Sequence, residues 1–330
     1  MGKLDRADLT RNIIFFAVVF FVIPALLSTF LFLLIRPLLH KFKFGQEVRS
    51  DGPQSHLTKQ GTPTMGGIVF LLSIGAYMSF FLRERTLFAM IIMIGYGIVG
   101  LIDDILKIKG KSSKGLNPNI KLILQILLAA AFIYVNYYVF PYDKLLLFPF
   151  IGGVVLADYI FVPLMLFAIV GTNNAVNFTD GVDGLCSFVT IIISIFYAFI
   201  ALIESNLDVF ILCIVVMSIL CAFLIFNKHP ASIFMGDVGS LFLGAYVALV
   251  ACLLKIQLLI PIFGIVYFME IISVILQVSY FKATKGKRIF KMAPIHHHFE
   301  LSGFSENKIV LLFGFITIIG CILSYILFSI

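Results

Sequence analysis

Apolar runs close to twenty residues long recur from one end of this 330-residue chain to the other, and no other feature limits its folding so tightly. A hydrocarbon core about 30 Å thick takes roughly twenty residues of helix to cross. Within that solvent the backbone must satisfy its own N–H and C=O groups, so a run of this length crosses as a helix. Ten runs are read, near 12–35, 65–82, 87–106, 120–140, 151–170, 185–203, 208–226, 239–255, 258–280 and 308–329. The expectation is an all-α polytopic integral membrane protein, one transmembrane domain over 1–330 with about ten spanning helices. The first run is longer than the apolar core of a cleavable leader, and no small-residue cleavage site follows it.

Composition agrees. Hydrophobic residues make up 61% and charged residues 12%, against roughly 45–50% and 25% in soluble domains. That excludes a water-facing globule and a disordered chain. The five cysteines are odd in number, lie in or beside apolar runs and show no CxxC spacing, so neither a zinc site nor a disulfide framework is indicated. A net charge of +7 is explained by cytoplasmic loops of a membrane protein before nucleic acid needs to be invoked. Of the 24 Lys and Arg residues, 17 fall in odd-numbered loops and 7 on the opposite side. The odd loops are therefore expected to be cytoplasmic, with both termini external.

Polar chemistry sorts to the same side. All six histidines and Asp103, Asp104, Asp180, Asp183 and Asp237 fall at or near the cytoplasmic ends of spans. Asp103 and Asp104 close the third span; neighbours on a helix point about 100° apart, so the two are expected to have different jobs. Lys107 and Lys111 follow, an arrangement suited to phosphate with a divalent metal, although a polar helix end would look the same. Gly171–Gly184 carries three asparagines, two Asp-Gly steps and no Lys or Arg. It is read as a loop, either a turn-rich connector or a surface of amides and carboxylates for a nucleobase, a ribose or a metal. Asp237, between Gly236 and Gly239, reads as an oxygen ligand for magnesium or as a helix N-cap.

Three further segments stand out. Lys59 precedes Gly61-Thr62-Pro63-Thr64-Met65-Gly66-Gly67, which is a turn and helix start or an anion-receiving helix N-terminus. Lys285-Gly286-Lys287-Arg288 reads as basic side chains at the membrane surface, and the contiguous His296, His297 and His298 suit phosphate contact by one or two of them better than joint ligation of one metal. Glu270 and Asp158 are acids inside apolar spans; Asp158 is placed at the outer interface and Glu270 in an interhelical contact. Pro141–Pro149 reads as a turn or small hairpin.

Taken in order, Lys59 with Gly61–Gly67, Asp103-Asp104, Asn177–Leu185, Phe234–Ser240 and Ala293–Glu300 resemble the motifs of the phospho-N-acetylmuramoyl-pentapeptide transferases of peptidoglycan synthesis, within the polyprenyl-phosphate N-acetylhexosamine-phosphate transferase superfamily. The resemblance covers essentially the whole chain. It implies an enzyme of the bacterial cytoplasmic (inner) membrane that passes phospho-N-acetylmuramoyl-pentapeptide from its UDP-linked donor to undecaprenyl phosphate, with Mg2+, giving lipid I and UMP. Carried over residue by residue, it implies that Asp237 holds magnesium and that Asp103 and Asp104 orient or deprotonate the lipid phosphate. Lys59, Thr64, Lys107 and Lys111 would contact phosphate. Asn177, Asp180, Asp183, Asn227 and Phe234 would shape the uridine side, and His296 and His297 the donor side, with Gln277 lining the same cleft. A homodimer and no nucleic-acid partner are implied as well. The alternatives are a transferase using UDP-N-acetylglucosamine and, more remotely, an anion transporter, which the plain outer links and the lack of an internal repeat disfavour.

Overall fold

The computed structural model describes residues 15–41, 59, 61–80, 83–110, 115–140, 144–148 and 152–329. Its helices are α1 (Phe15–Lys41), α2 (Ile68–Tyr77), α3 (Glu84–Gly110), α4 (Pro118–Tyr134), α5 (Asp158–Thr179), α6 (Leu185–Ile203), α7 (Leu207–Asn227) and α8 (Gly236–Leu253), then the single turn α9 (Ile260–Phe263), α10 (Ile265–Ala283), the short α11 (Ile295–Glu300) and α12 (Glu306–Ser329). One hairpin, β1 (Leu145–Phe148) and β2 (Gly152–Val155), pairs antiparallel with Leu145 opposite Val155. Its first strand falls within Pro141–Pro149, where the sequence predicts a turn or hairpin, but β2 lies beyond that segment, where the fifth span is expected to begin, and the helix itself starts only at Asp158. At the foot of the hairpin Lys144 pairs with Asp158 at 2.7 Å.

Nine helices among the described residues are long and apolar enough to cross a membrane. The expected tenth, over 65–82, is shorter: its apolar helix covers Ile68–Phe80. At 1.5 Å per residue that is roughly 20 Å, less than the hydrocarbon thickness. The reason lies in the segment before it. Thr62–Gly67 stays non-helical and pairs main chain to main chain with Ile233–Met235: Phe234 N–H donates to Pro63 O at 2.8 Å, and Gly66 and Gly67 N–H donate to Phe234 O and Met235 O, each at 2.9 Å. Buried non-helical backbone persists at such depth where protein satisfies it, as here. The expected span over 258–280 is likewise broken, with α9 and α10 meeting at Gly264.

A second correction concerns the asparagine-rich stretch. Expected as a loop from Gly171, it is helical to Thr179, and only Asp180–Gly184 forms the turn. Amides that would be solvated in a loop instead line the inner face of α5. Asn173 Nδ2 donates to Leu241 O at 2.6 Å, and Asn174 Nδ2 to Gln125 Oε1 at 2.8 Å. Composition alone does not separate a polar loop from a helix whose polar stripe faces other helices.

Helix α8 is the centre of the bundle: every residue from Val238 to Leu253 is buried. A helix apolar on all sides finds partners all round, and here they are mainly α3, α5, α6 and α2. Close approach is set by glycine. A Cβ on Gly100 of α3 would overlap the carbonyl of Asp237, and one on Gly67 would overlap the backbone of Gly239. These contacts bring the last turns of α3 and the first turn of α8 to the same spot. Hydroxyl pairs join other helices, such as Ser28–Ser73 at 2.9 Å and Thr190–Tyr267 at 2.7 Å, as is usual where water does not compete.

Candidate active site

Where α3, α4, α5 and α8 converge, three carboxylates and two ammonium groups form one centre. The carboxylate oxygens of Asp103, Asp104 and Asp237 lie within 4.8 Å of one another. Lys107, one turn beyond Asp103, pairs with Asp103 Oδ2 at 2.6 Å and with Asp237 Oδ2 at 2.9 Å. Lys121 of α4 adds a second cation, 2.5 Å from Asp237 Oδ2. Asn177 Nδ2 donates to Asp237 Oδ1 at 3.1 Å and to Ser240 Oγ at 2.7 Å. Three negative charges brought this close are tolerable only with such compensation.

The adjacent aspartates take different partners, as their 100° separation requires. Asp103 Oδ1 accepts from Leu116 N–H at 2.8 Å, tying down the segment after α3. Asp104 Oδ2 accepts from Val238 N–H at 3.1 Å. It therefore satisfies a first-turn donor of α8 from a neighbouring helix, where a carboxylate also meets the positive end of the helix dipole. Thr64 Oγ1 and Asp104 Oδ2 both crowd the space over the Gly236 Cα, which has a positive φ of 71°. Asp237 itself remains 17% exposed at its side chain, the most open of the three acids.

A second cluster joins four elements. Lys59 Nζ donates to Asp183 Oδ1 at 2.8 Å and to Glu306 Oε2 at 2.7 Å. His229 Nδ1 lies 3.1 Å from Asp183 Oδ2 and 3.3 Å from Glu306 Oε1. Ala231 N–H donates to Asp183, and Asp183 N–H to Glu306. Burial opposes the charge on Lys59, but the two carboxylates outweigh it and its pKa stands above the ordinary lysine value. Asn227 fixes the neighbouring backbone, its Oδ1 accepting from Gly184 N–H and its Nδ2 donating to Ile233 O. Asp180 lies in the turn between the clusters. Burial, then the charges of Asp237, Asp104 and Asp183, push its carboxyl well above the usual range.

The histidine run forms the short helix α11. His296 is buried, with Nδ1 3.0 Å from Glu270 Oε2 on α10. Its ring lies against Gly181, where a Cβ would overlap Nε2. His297 Nδ1 is 2.6 Å from Glu300 Oε2, and His298 Nδ1 accepts from Lys291 N–H at 3.2 Å. Gln277 holds the loop before α11: its Oε1 accepts from Ile289 and Phe290 N–H, and its Nε2 donates to Phe290 O. Phe234 contributes its backbone to the pairing with Pro63 and Gly66 and keeps its ring partly exposed. Lys111 lies outside the described residues.

These positions can be set beside known proteins. A family model described as Glycosyl transferase family 4 matches residues 86–255, and a Phospho-N-acetylmuramoyl-pentapeptide-transferase signature matches residues 59–71. A phospho-N-acetylmuramoyl-pentapeptide-transferase of Clostridium perfringens is 42% identical over 327 residues, 98% of this chain and 99% of the relative. Relatives of the same name from Clostridium novyi and Clostridium botulinum are 43% and 44% identical, over 88% and 92% of this chain and 90% and 96% of their own. The chain belongs to the phospho-N-acetylmuramoyl-pentapeptide-transferase family. The family signature begins at Lys59 and runs through the non-helical strip that pairs with Ile233–Met235 into α2. The family 4 match holds α3 to α8 and therefore all three clustered aspartates.

Sequence reasoning missed several members of the two clusters. Lys121 is read only as a loop charge, yet it pairs with Asp237. Glu306 and His229 are not singled out, although both close on Asp183. An acid in the first turn of a helix is common for capping reasons, so nothing local marks Glu306. Its partner Lys59 lies 247 positions away.

Proposed function

We propose that this protein transfers phospho-N-acetylmuramoyl-pentapeptide from UDP-N-acetylmuramoyl-pentapeptide to undecaprenyl phosphate in the bacterial cytoplasmic membrane. An oxygen of the lipid phosphate attacks the sugar-proximal phosphorus of the donor. The bond from that phosphorus to the bridging oxygen breaks, UMP leaves with that oxygen, and the product is undecaprenyl-pyrophosphoryl-N-acetylmuramoyl-pentapeptide, lipid I. The observation that carries this reading is the near-full-length likeness to relatives of that name, joined to a site with the matching chemistry.

The residues divide the work as follows. Lys107 and Lys121 are held by carboxylates at the rim of the bundle, which suits them to receive phosphate oxygens. The lipid phosphate has a second pKa of about 6 and is mostly dianionic near neutrality, so Asp103 serves chiefly to orient it and takes its residual proton when present. Charge stabilisation and positioning then account for most of the acceleration. Asp183, Asn227 and Phe234 frame the donor's uridine side, with Asp180 in the turn above them. Lys59, fixed between Asp183 and Glu306, faces the donor diphosphate, and His296 and His297 face the donor's sugar side.

Magnesium fits the residues present: three carboxylates within 4.8 Å, one of them partly open, are the hard oxygen donors this ion prefers. Asp237 would hold it, with Asp103 and Asp104 alongside. When bound, the ion would supply Lewis-acid stabilisation of the charge that develops on the diphosphate. The protein is taken to work as a homodimer with its site facing the cytoplasm. The deciding experiment is UMP release by purified protein in magnesium. Release should require both undecaprenyl phosphate and the muramoyl donor; release with UDP-N-acetylglucosamine in its place would sink the proposal.

A further inference from the structure

Glu270 is fully buried on α10 and His296 is 1% exposed on α11. An acid inside a membrane-spanning helix is costly and persists where a partner and a task hold it there. Its partner is plain: Oε2 lies 3.0 Å from His296 Nδ1. The other two polar atoms of the pair, Glu270 Oε1 and His296 Nε2, are buried without a hydrogen-bond partner. Nε2 does not point back into the helices. It abuts Gly181, in the turn that carries Asp180 and Asp183, and only a residue without a Cβ leaves room for the ring there.

An ionised carboxylate can only accept, so the nitrogen facing it must carry the proton. With a single proton on the ring, the lone pair then lies on the far nitrogen. The geometry points to Glu270 as a positioning residue that fixes His296 in the Nδ1–H tautomer and presents a bare Nε2 to the Asp180–Gly184 turn on the donor side of the cleft. The inference rests on the transferase reading for its kinetic consequence, though not for the tautomer itself. Glu270 touches no substrate and acts through His296. A ring turned over, or carrying its proton on Nε2, would leave the Glu270 charge unpaired in an apolar interior, which strongly disfavours both alternatives. Gly181 is the second half of the device, since it sets how closely Nε2 approaches the turn.

Two measurements test this. In native protein with 15N-labelled histidine, the His296 signal, assigned by its loss in His296→Gln, should show a protonated Nδ1 and a bare Nε2. The reverse tautomer, or a ring protonated on both nitrogens, would overturn the inference, whatever the activity. The second is a kinetic cycle on UMP release. Glu270→Gln should lower kcat by about 10-fold or more while KM for the donor changes less than about twofold, a part of the roughly 100- to 10,000-fold that a positioned acid–base group contributes. In a His296→Ala background the same substitution should cost nothing further, because residues acting as one unit are non-additive. An equal loss in both backgrounds would show a structural role only. Gly181→Ala, which keeps both partners but displaces the ring, should reproduce the kcat loss. If native protein releases no UMP the transferase reading fails. If native protein turns over and the Glu270 and Gly181 variants match it, this inference fails alone.

Discussion

Gly100→Ala adds a single methyl group one turn before Asp103. Its Cβ would overlap the carbonyl of Asp237 and lie 2.6 Å from Val238 N, against the 3.4–4 Å of ordinary contact. Both neighbours are backbone at the start of a buried helix, so no side chain can swing aside. The two helices must part locally by roughly 1 Å, at a packing cost of about 1–3 kcal/mol. Such a displacement stretches the Asp104–Val238 hydrogen bond from 3.1 Å to roughly 4 Å, beyond hydrogen-bond range. It also moves Asp237 relative to Asp103 and Lys107. A misplacement of this size in a catalytic constellation costs on the order of 100-fold in rate. The assay is kcat for UMP release in magnesium, with thermal unfolding alongside. Gly75→Ala is the control: the same substitution in α2, with nothing within 4 Å of the new methyl group. It should leave kcat unchanged and stabilise slightly, by up to about 1 kcal/mol. A Gly100→Ala protein with kcat within about twofold of native would refute the view that the α3–α8 approach sets the geometry of the acid centre.

Other expectations follow from the same geometry. Asp237→Asn keeps size and removes charge, so turnover should collapse without loss of thermal stability; an active, magnesium-dependent variant would contradict the assignment. Lys121→Met should lower kcat strongly, since one of the two cations on Asp237 Oδ2 is lost, and native-like kcat would remove Lys121 from the site. His298→Ala should impair turnover less than His296→Ala, because His298 faces the loop at Lys291 rather than the turn at Gly181; equal losses with aggregation would indicate a structural run. For Asp180 the folded pKa is raised, so its stabilising contribution is complete below the unfolded value near 4 and is lost as pH rises through the folded one. Asp180→Asn should therefore unfold at a higher temperature than native at pH 7 and converge with it toward pH 4, and a constant difference across that range would disprove the burial argument.

The spans were legible because twenty apolar residues in a row have few alternatives, and the motif residues were legible because unlike polar groups crowd together at span ends. What escaped was orientation on the helix and pairing at long range. The asparagines of α5 have the composition of a loop, and only the helices packed against them show why they are helical. Lys121 resembles any interfacial lysine until α4 is laid beside α8. Glu270 drew notice as a buried acid and was expected in an interhelical contact, but its partner stands 26 positions later on a helix of six residues. The shortening of α2 was hidden as well, because its pairing strand lies beyond α7.

The enclosure of α8 bears on how the protein is made. Its main helical neighbours, α2, α3, α5 and α6, all precede it in the chain. A helix without a lipid-facing side can thus be received directly by a bundle that has already left the ribosome. Asp103, Asp104, Lys107, Lys121, Asn177 and Asp237 are all present once synthesis reaches Leu253. The Lys59 cluster cannot close fully then, because Glu306 opens the last helix, and the Glu270–His296 pair must wait as well, because both residues follow Leu253. Biosynthesis therefore delivers the acid centre first and the Lys59–Glu306 and Glu270–His296 contacts last. A nascent chain halted before α10 would hold its aspartates in place with the partners of Lys59 and Glu270 on the last helices still to be made.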